Sequence, residues 1–158
     1  MDELFEITDR EGIYVSYKKL EHLANGNLLG FYFYDSQRGQ PFIVLERKID
    51  RWPILHKCVL AEEIGHYFTV PRSKFILPYA SYRERLYLSI DERKALTWAA
   101  KFLISLRDLK KAIHSGCETI HDIADFLYVT PEIATIRLQQ GDAREYLSDW
   151  IGTRSYLS

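Results

Sequence analysis

The chain has 158 residues, 47% of them hydrophobic and 27% charged, enough for one domain with a packed core, or one domain with a small helical addition. Its formal net charge of -1 gives bulk electrostatics no reason to favour nucleic acid or an acidic membrane surface. The acidic start Met1-Asp2-Glu3-Leu4-Phe5 leads into no long apolar run, so neither a signal peptide nor a membrane span is expected. Cys58 and Cys117 are the only cysteines. Neither has a nearby partner of redox or zinc spacing, which fits a reduced, cytoplasmic chain.

In chain order, Ile13 to Tyr17 is β-branched and aromatic, as a short strand would be. Lys18 to Ala24 reads as a short helix closed by Asn25-Gly26. Gly30 to Tyr34 and Phe42 to Leu45 flank the turn-rich Asp35 to Pro41, which predicts two antiparallel strands joined by a longer hairpin loop. Asp50 can cap the next helix, with Pro53 tolerated in its first turn, where the amide it lacks would be unpaired anyway. That helix runs to about Phe68 and is apolar nearly all round, as a core helix is. Gly65 within it costs roughly 1 kcal/mol of helix propensity and suggests close packing at that point.

From Pro71 to Leu88 the pattern is irregular, with prolines, aromatics and arginines mixed. A second helix is expected from Asp91 to about Ile104, with Ala95, Trp98, Ala99, Phe102 and Leu103 as its apolar face. Ser105 and Asp108 open a further helix that ends at Ser115-Gly116. Thr119 opens another, and Thr130-Pro131-Glu132 opens one through Leu138. The tail from Gly141 carries Tyr146, Trp150, Ile151, Tyr156 and Leu157, which are expected to pack back on the domain.

One stretch carries chemistry. In Cys58 to Phe68, Glu62 and His66 lie four apart, on one helical face and one turn from each other. Ionised groups are costly to bury unless paired, yet they stand on a helix that is otherwise apolar. A zinc peptidase of the His-Glu-x-x-His kind uses two ligands one turn apart and a glutamate beside the first as general base. Here the five positions read Glu62-Glu63-Ile64-Gly65-His66. Glutamate stands at the first ligand position, and carboxylate is an acceptable ligand for zinc or manganese. The base role falls to Glu63, about 100° round the helix from Glu62. The same string also occurs by chance, with both glutamates on a solvated face; the apolar surroundings argue against that here.

Leu60-Ala61-Glu62-Glu63-Ile64-Gly65-His66-Tyr67-Phe68-Thr69 closely resembles the motif helix of the ImmA/IrrE family of metallopeptidases of phages and mobile elements, in the branch where Glu-Glu replaces His-Glu. Ile13-Tyr14-Val15, the hairpin, the segment Glu92 to Ile104 and the stretch Ile123 to Leu138 also resemble that family's layout. The resemblance implies a third ligand on the helix after the motif, taken as Glu92. Asp91 competes for that role, and Ser89-x-x-Glu92 can equally be a capping box. Lys94 stands nearest the family's more usual ligand glutamate. The resemblance further implies that the substrate is a helix-turn-helix repressor of a phage or mobile element.

Other candidates are weaker. His56, ten positions before His66, is two to three turns away and cannot share a metal with it. His22, His114 and His121 read as surface or capping residues. Tyr67, Tyr79, Tyr82 or Tyr87 could supply a phenol to an oxyanion, and eleven tyrosines leave the choice open. Asp122 to Tyr128 and Pro131 to Leu138 read as helix-turn-helix. The second helix offers Glu132, Thr135, Arg137, Gln139 and Gln140 with one positive charge, too little for phosphate and base contacts, so DNA binding is not expected.

The expectation is therefore an α+β fold: a small antiparallel sheet packed on a zincin-like motif helix at 51–68, within a metallopeptidase-like domain at 1–104, followed by a helical segment at 105–158. Its function would be metal-dependent cleavage of a repressor protein, with zinc, or another divalent transition metal such as manganese, held by Glu62, His66 and Glu92, and with Glu63 as base. The alternative is a non-catalytic, antirepressor-like module that grips the repressor with a degenerate metal site.

Overall fold

The computed structural model describes residues 1–20, 22, 28–70 and 82–155, with 82–89 and 149–155 described as backbone only. The chain divides into two compact units, Met1–Ala99 and Ala100–Ser158.

The first unit opens with a helix the sequence reading did not anticipate, α1 (Asp2–Arg10). Leu4, Ile7 and Thr8 are buried along it at helical spacing, and Asp2 and Glu3 sit in the first turn, where carboxylates oppose the positive end of the helix dipole. Strand β1 (Tyr14–Lys18) follows, then β2 (Gly30–Asp35) and β3 (Gln40–Glu46). β2 and β3 form the expected antiparallel hairpin, with Tyr32 opposite Ile43. Its turn is held by the Asp35 carboxylate, which accepts from the amides of Gln37 and Arg38 at 2.9 and 3.2 Å. β1 lies parallel to β3, so the sheet is mixed, in the order β1-β3-β2. Side-chain alternation marks a strand and its faces but not the direction of its neighbour. Lys18, expected to start a helix, ends β1 instead. Of the rest of that stretch, 21 and 23–27 lie outside the described residues.

A 3-10 turn, Arg47–Arg51, leads into the motif helix α2 (Pro53–Thr69). Asp50 does not cap α2: it lies inside the 3-10 turn, and the N-cap position is Trp52, with no side-chain bond. The polar group at this corner is Glu46, buried at the end of β3, whose carboxylate accepts from Leu20 N–H at 2.6 Å and Lys48 N–H at 3.2 Å. Pro53 occupies the first turn, as expected. α2 packs on the sheet, with Val59 and Glu63 against Gly30 of β2, Leu60 and Ile64 buried on the helix, and Ile43 and Leu45 fully buried on β3.

α3 (Tyr82–Leu103) starts nine residues before the expected Asp91. Arginines and aromatics mixed after two prolines hide a helical period that the backbone nonetheless adopts. Residues 71–81, the remainder of the stretch read as irregular, lie outside the described residues.

The second unit is helical: α4 (Leu106–His114), α5 (Ile120–Leu127), α6 (Pro131–Leu138) and α7 (Gly141–Ser155). Ser105, Thr119 and Thr130 cap α4 to α6, with a full capping box at Thr119 and Asp122. Its core includes Leu109, Ala112, Ile123, Ala124, Ile133 and Ala143. Arg137 is buried at its centre, donating through Nε to Ile104 O at 2.8 Å and through both terminal nitrogens to Asp142 at 2.9 and 2.8 Å. The one positive charge of α6 is thus engaged within the helical unit. Tyr146 in the tail lies under the Lys110 ammonium at 4.7 Å. Trp150, Ile151, Tyr156 and Leu157 fall outside the described side chains. Among the described residues, no helix is long and apolar enough to cross a membrane.

Candidate metal centre

The site grows from two close approaches made by glycines. A Cβ on Gly65 of α2 would lie 2.5 Å from the Ala95 carbonyl oxygen of α3. Only a residue without a side chain lets the two backbones meet there. One residue on, His66 faces α3, and one turn before Ala95 stands Glu92: His66 Nε2 and Glu92 Oε2 are 3.3 Å apart. Glu62, one turn before His66, completes the group. Glu62, His66 and Glu92 each offer a ligand atom, and these atoms all lie within 4.8 Å of one another.

Glu92 belongs to this cluster and not to a cap. Ser89 is inside α3, well past its start at Tyr82, so the capping-box reading has no helix terminus to serve. Asp91, the competing ligand, is turned away and pairs with Lys94 at 3.0 Å. The cluster is open on the Glu92 side, whose side chain is 49% exposed, and closed on the His66 side, at 13%.

Glu63 points inward. It is buried beneath β2, where a second glycine makes room: a Cβ on Gly30 would meet Leu45 Cδ2 at 2.8 Å, Val59 Cγ1 at 3.0 Å and the Glu63 Oε1 atom itself at 3.2 Å. The carboxylate accepts a hydrogen bond from the backbone N–H of Tyr32. Burial pushes the Glu63 carboxyl up to about 8; the negative charges of Glu62 and Glu92 add to this, while His66 and the Tyr32 amide oppose it. For His66, burial pulls downward, but the Glu92 hydrogen bond and the charges of Glu63, Glu92 and Glu62 together hold it above its ordinary value.

Three carboxyls around one imidazole make a group with excess negative charge in partly dry surroundings. A divalent cation would relieve that excess and favour ionised Glu63. The mixed oxygen and nitrogen donor set suits zinc or manganese, so the residues present fit such an ion.

The remaining candidates lie apart from this cluster. Tyr67 donates its hydroxyl to Glu11 Oε2 at 3.2 Å, tying α2 to the end of α1. Tyr79 and the side chains of Tyr82 and Tyr87 lie outside the described residues. His56 is buried, with Nε2 3.0 Å from the Tyr17 hydroxyl, and burial lowers its pKa. His114 Nδ1 meets Lys110 O at 2.7 Å within α4; His22 and His121 are exposed. Sequence reasoning missed Gly30 and the Tyr32 amide. The available signal was the glycine itself, which weakens a strand and so often marks a close approach of another group.

No curated protein and no solved structure gives a significant match to the chain. The family model described as the IrrE N-terminal-like domain, Peptidase_M78, matches residues 8–139, from within α1 to the end of α6. That match spans most of the chain, which therefore belongs to the IrrE N-terminal-like family, a family of the metallopeptidase type.

Proposed function

We propose that the protein is a metal-dependent peptidase whose ion is held by Glu62, His66 and Glu92 and whose general base is Glu63. The observation that carries this reading is the gathering of three ligand atoms from two helices within 4.8 Å, beside the buried carboxyl of Glu63 on the motif helix. When bound, the ion supplies Lewis-acid chemistry, polarising a peptide carbonyl and lowering the pKa of water. Glu63 takes a proton from the attacking water at a carboxylate oxygen. It returns that proton to the amide nitrogen as the C–N bond breaks, and the water oxygen remains on the carbonyl carbon. The Tyr32 amide keeps the Glu63 carboxylate oriented between these two transfers.

The family implies a protein substrate. In this reading it is a helix-turn-helix repressor of a phage or mobile element, cut in the cytoplasm, where the thiols of Cys58 and Cys117 would stay reduced. The support is the likeness of the Glu-Glu-x-x-His helix to the branch of the family that carries it.

Elemental analysis of the purified chain tests the metal: close to one equivalent of zinc or manganese is expected, and less than about a tenth of an equivalent of any transition metal would sink the peptidase model. Glu63→Gln is expected to abolish cleavage of a co-expressed repressor while metal content persists; unchanged cleavage would remove Glu63 as base. One feature favours a second reading, a non-catalytic module that grips the repressor. Glu62 adds negative charge where imidazole would add none, and so favours protonated Glu63. A metal-free protein that still binds the repressor would establish that reading.

A further inference from the structure

We infer that Gly30 is a positioning residue for Glu63: the missing side chain at the head of β2 is what seats the carboxylate under the Tyr32 amide. The inference deepens, and rests on, the reading of Glu63 as the base.

The argument starts from strand pairing. Among the described residues β2 lies at the edge of the sheet, bonded to β3. Glu46 N–H donates to Leu29 O at 2.8 Å, and backbone groups of an edge strand alternate between its partner and the open side. Residues 29, 31 and 33 therefore face β3, while the backbone groups of Gly30 and Tyr32 face the open side. α2 passes beneath that open side, and Glu63 reaches the Tyr32 N–H from it.

Two residues back, Gly30 shares the side-chain face of Tyr32, the face on which Tyr32 meets Tyr67 of α2 with ring centroids 6.1 Å apart. Its absent Cβ leaves the space bounded by Leu45, Val59 and Glu63 Oε1. The tip of Leu45 can swing aside. Val59 and Glu63 are on consecutive turns of α2 and meet the space through side-chain atoms: the Val59 γ-methyl yields by turning about χ1, and Glu63 by turning its carboxylate away from β2. A side chain at position 30 therefore acts on the base, whereas Glu62 and His66, which face α3, are spared.

This separates a positioning role from general destabilisation. Valine suits a strand better than glycine, so Gly30→Val does not weaken β2 by propensity. Amide hydrogen exchange on the metal-free, full-length chain reads the contact directly. In Gly30→Val the Tyr32 amide is expected to exchange at least about tenfold faster, matching Glu63→Ala, while the amides of β3 keep wild-type rates. Gly30→Ala, whose single methyl meets the movable tip of Leu45, carries the same test with a smaller change should valine prevent folding.

The affinity of Gly30→Val for zinc, followed by competition with a chelator, is expected to stay within about threefold of wild type, because the ligands are not displaced. A Tyr32 amide as protected as in wild type in either folded variant would overturn the inference. So would a loss of zinc affinity of about tenfold or more, which would place the effect on the ligands. Neither measurement needs a substrate, so failure here is distinct from failure of the peptidase reading, which Glu63→Gln tests separately.

Discussion

Gly65 and Ala95 meet backbone to backbone, so closely that a methyl on residue 65 would lie 2.5 Å from the Ala95 carbonyl oxygen. This contact sets the separation of α2 and α3 at the level where His66 faces Glu92. Gly65→Ala gains up to about 1 kcal/mol of helix propensity but overpacks against rigid backbone, at a cost of roughly 1–3 kcal/mol or more. The clash wins. The variant is expected to melt at a lower temperature and to bind zinc at least about tenfold more weakly. A variant that is more stable and binds zinc as wild type does would show that the two helices are not held by this glycine.

Glu92 and Asp91 are neighbours in sequence but point about 100° apart on α3. Glu92 is 3.3 Å from His66, whereas Asp91 pairs with Lys94. Glu92→Gln is therefore expected to cost at least about tenfold in metal affinity, and Asp91→Asn less than about threefold. Calorimetric titration of the two variants side by side decides it. The reverse ranking would return the ligand role to Asp91.

Glu62→His would replace a carboxylate with an imidazole at the first ligand position. Nitrogen donors suit zinc well, and the change removes one of the negative charges that push the Glu63 carboxyl upward. Zinc affinity is expected to rise, by about tenfold, as measured by chelator competition. Unchanged affinity would mean that residue 62 contributes no ligand.

The Arg137–Asp142 pair predicts a pH dependence in the helical unit. The Arg137 hydrogen bonds hold the Asp142 carboxyl below its ordinary 3.8. A depressed carboxyl contributes stability that is present above the unfolded value and lost as pH falls through the folded one. Because the Asp142 side chain is 42% exposed, solvent screening discounts the charge term, but removing it leaves a buried guanidinium short of a partner. Asp142→Asn is expected to cost about 1–3 kcal/mol at neutral pH. The difference from wild type should shrink below about pH 4, as the wild-type carboxyl protonates too. Urea melts between pH 2 and 7 provide the check, and a pH-independent difference would exclude the linkage.

Caps and periodicity were readable because they are local. Ser105, Thr119 and Thr130 each accept an amide within three residues, and the hairpin and motif helix announce themselves by spacing and turn residues. α1 escaped notice because three buried positions in nine residues are too few to stand out. The early start of α3 was hidden by a segment whose composition imitates a loop.

The sequence by itself determined that Glu62 and His66 share a helical face, that Glu63 lies beside them on another, and that a small hairpin precedes this helix, since each follows from the 3.6-residue and two-residue repeats of the backbone. Only the tertiary structure decided the rest: that β1 runs parallel to β3, that Glu92 and not Asp91 meets His66, and that Glu63 is buried under the Tyr32 amide. Those outcomes depend on which backbones can touch, and they turn on Gly65 against Ala95 and Gly30 against Val59 and Glu63. Such contacts join residues about 30 positions apart, a separation at which local spacing carries no information.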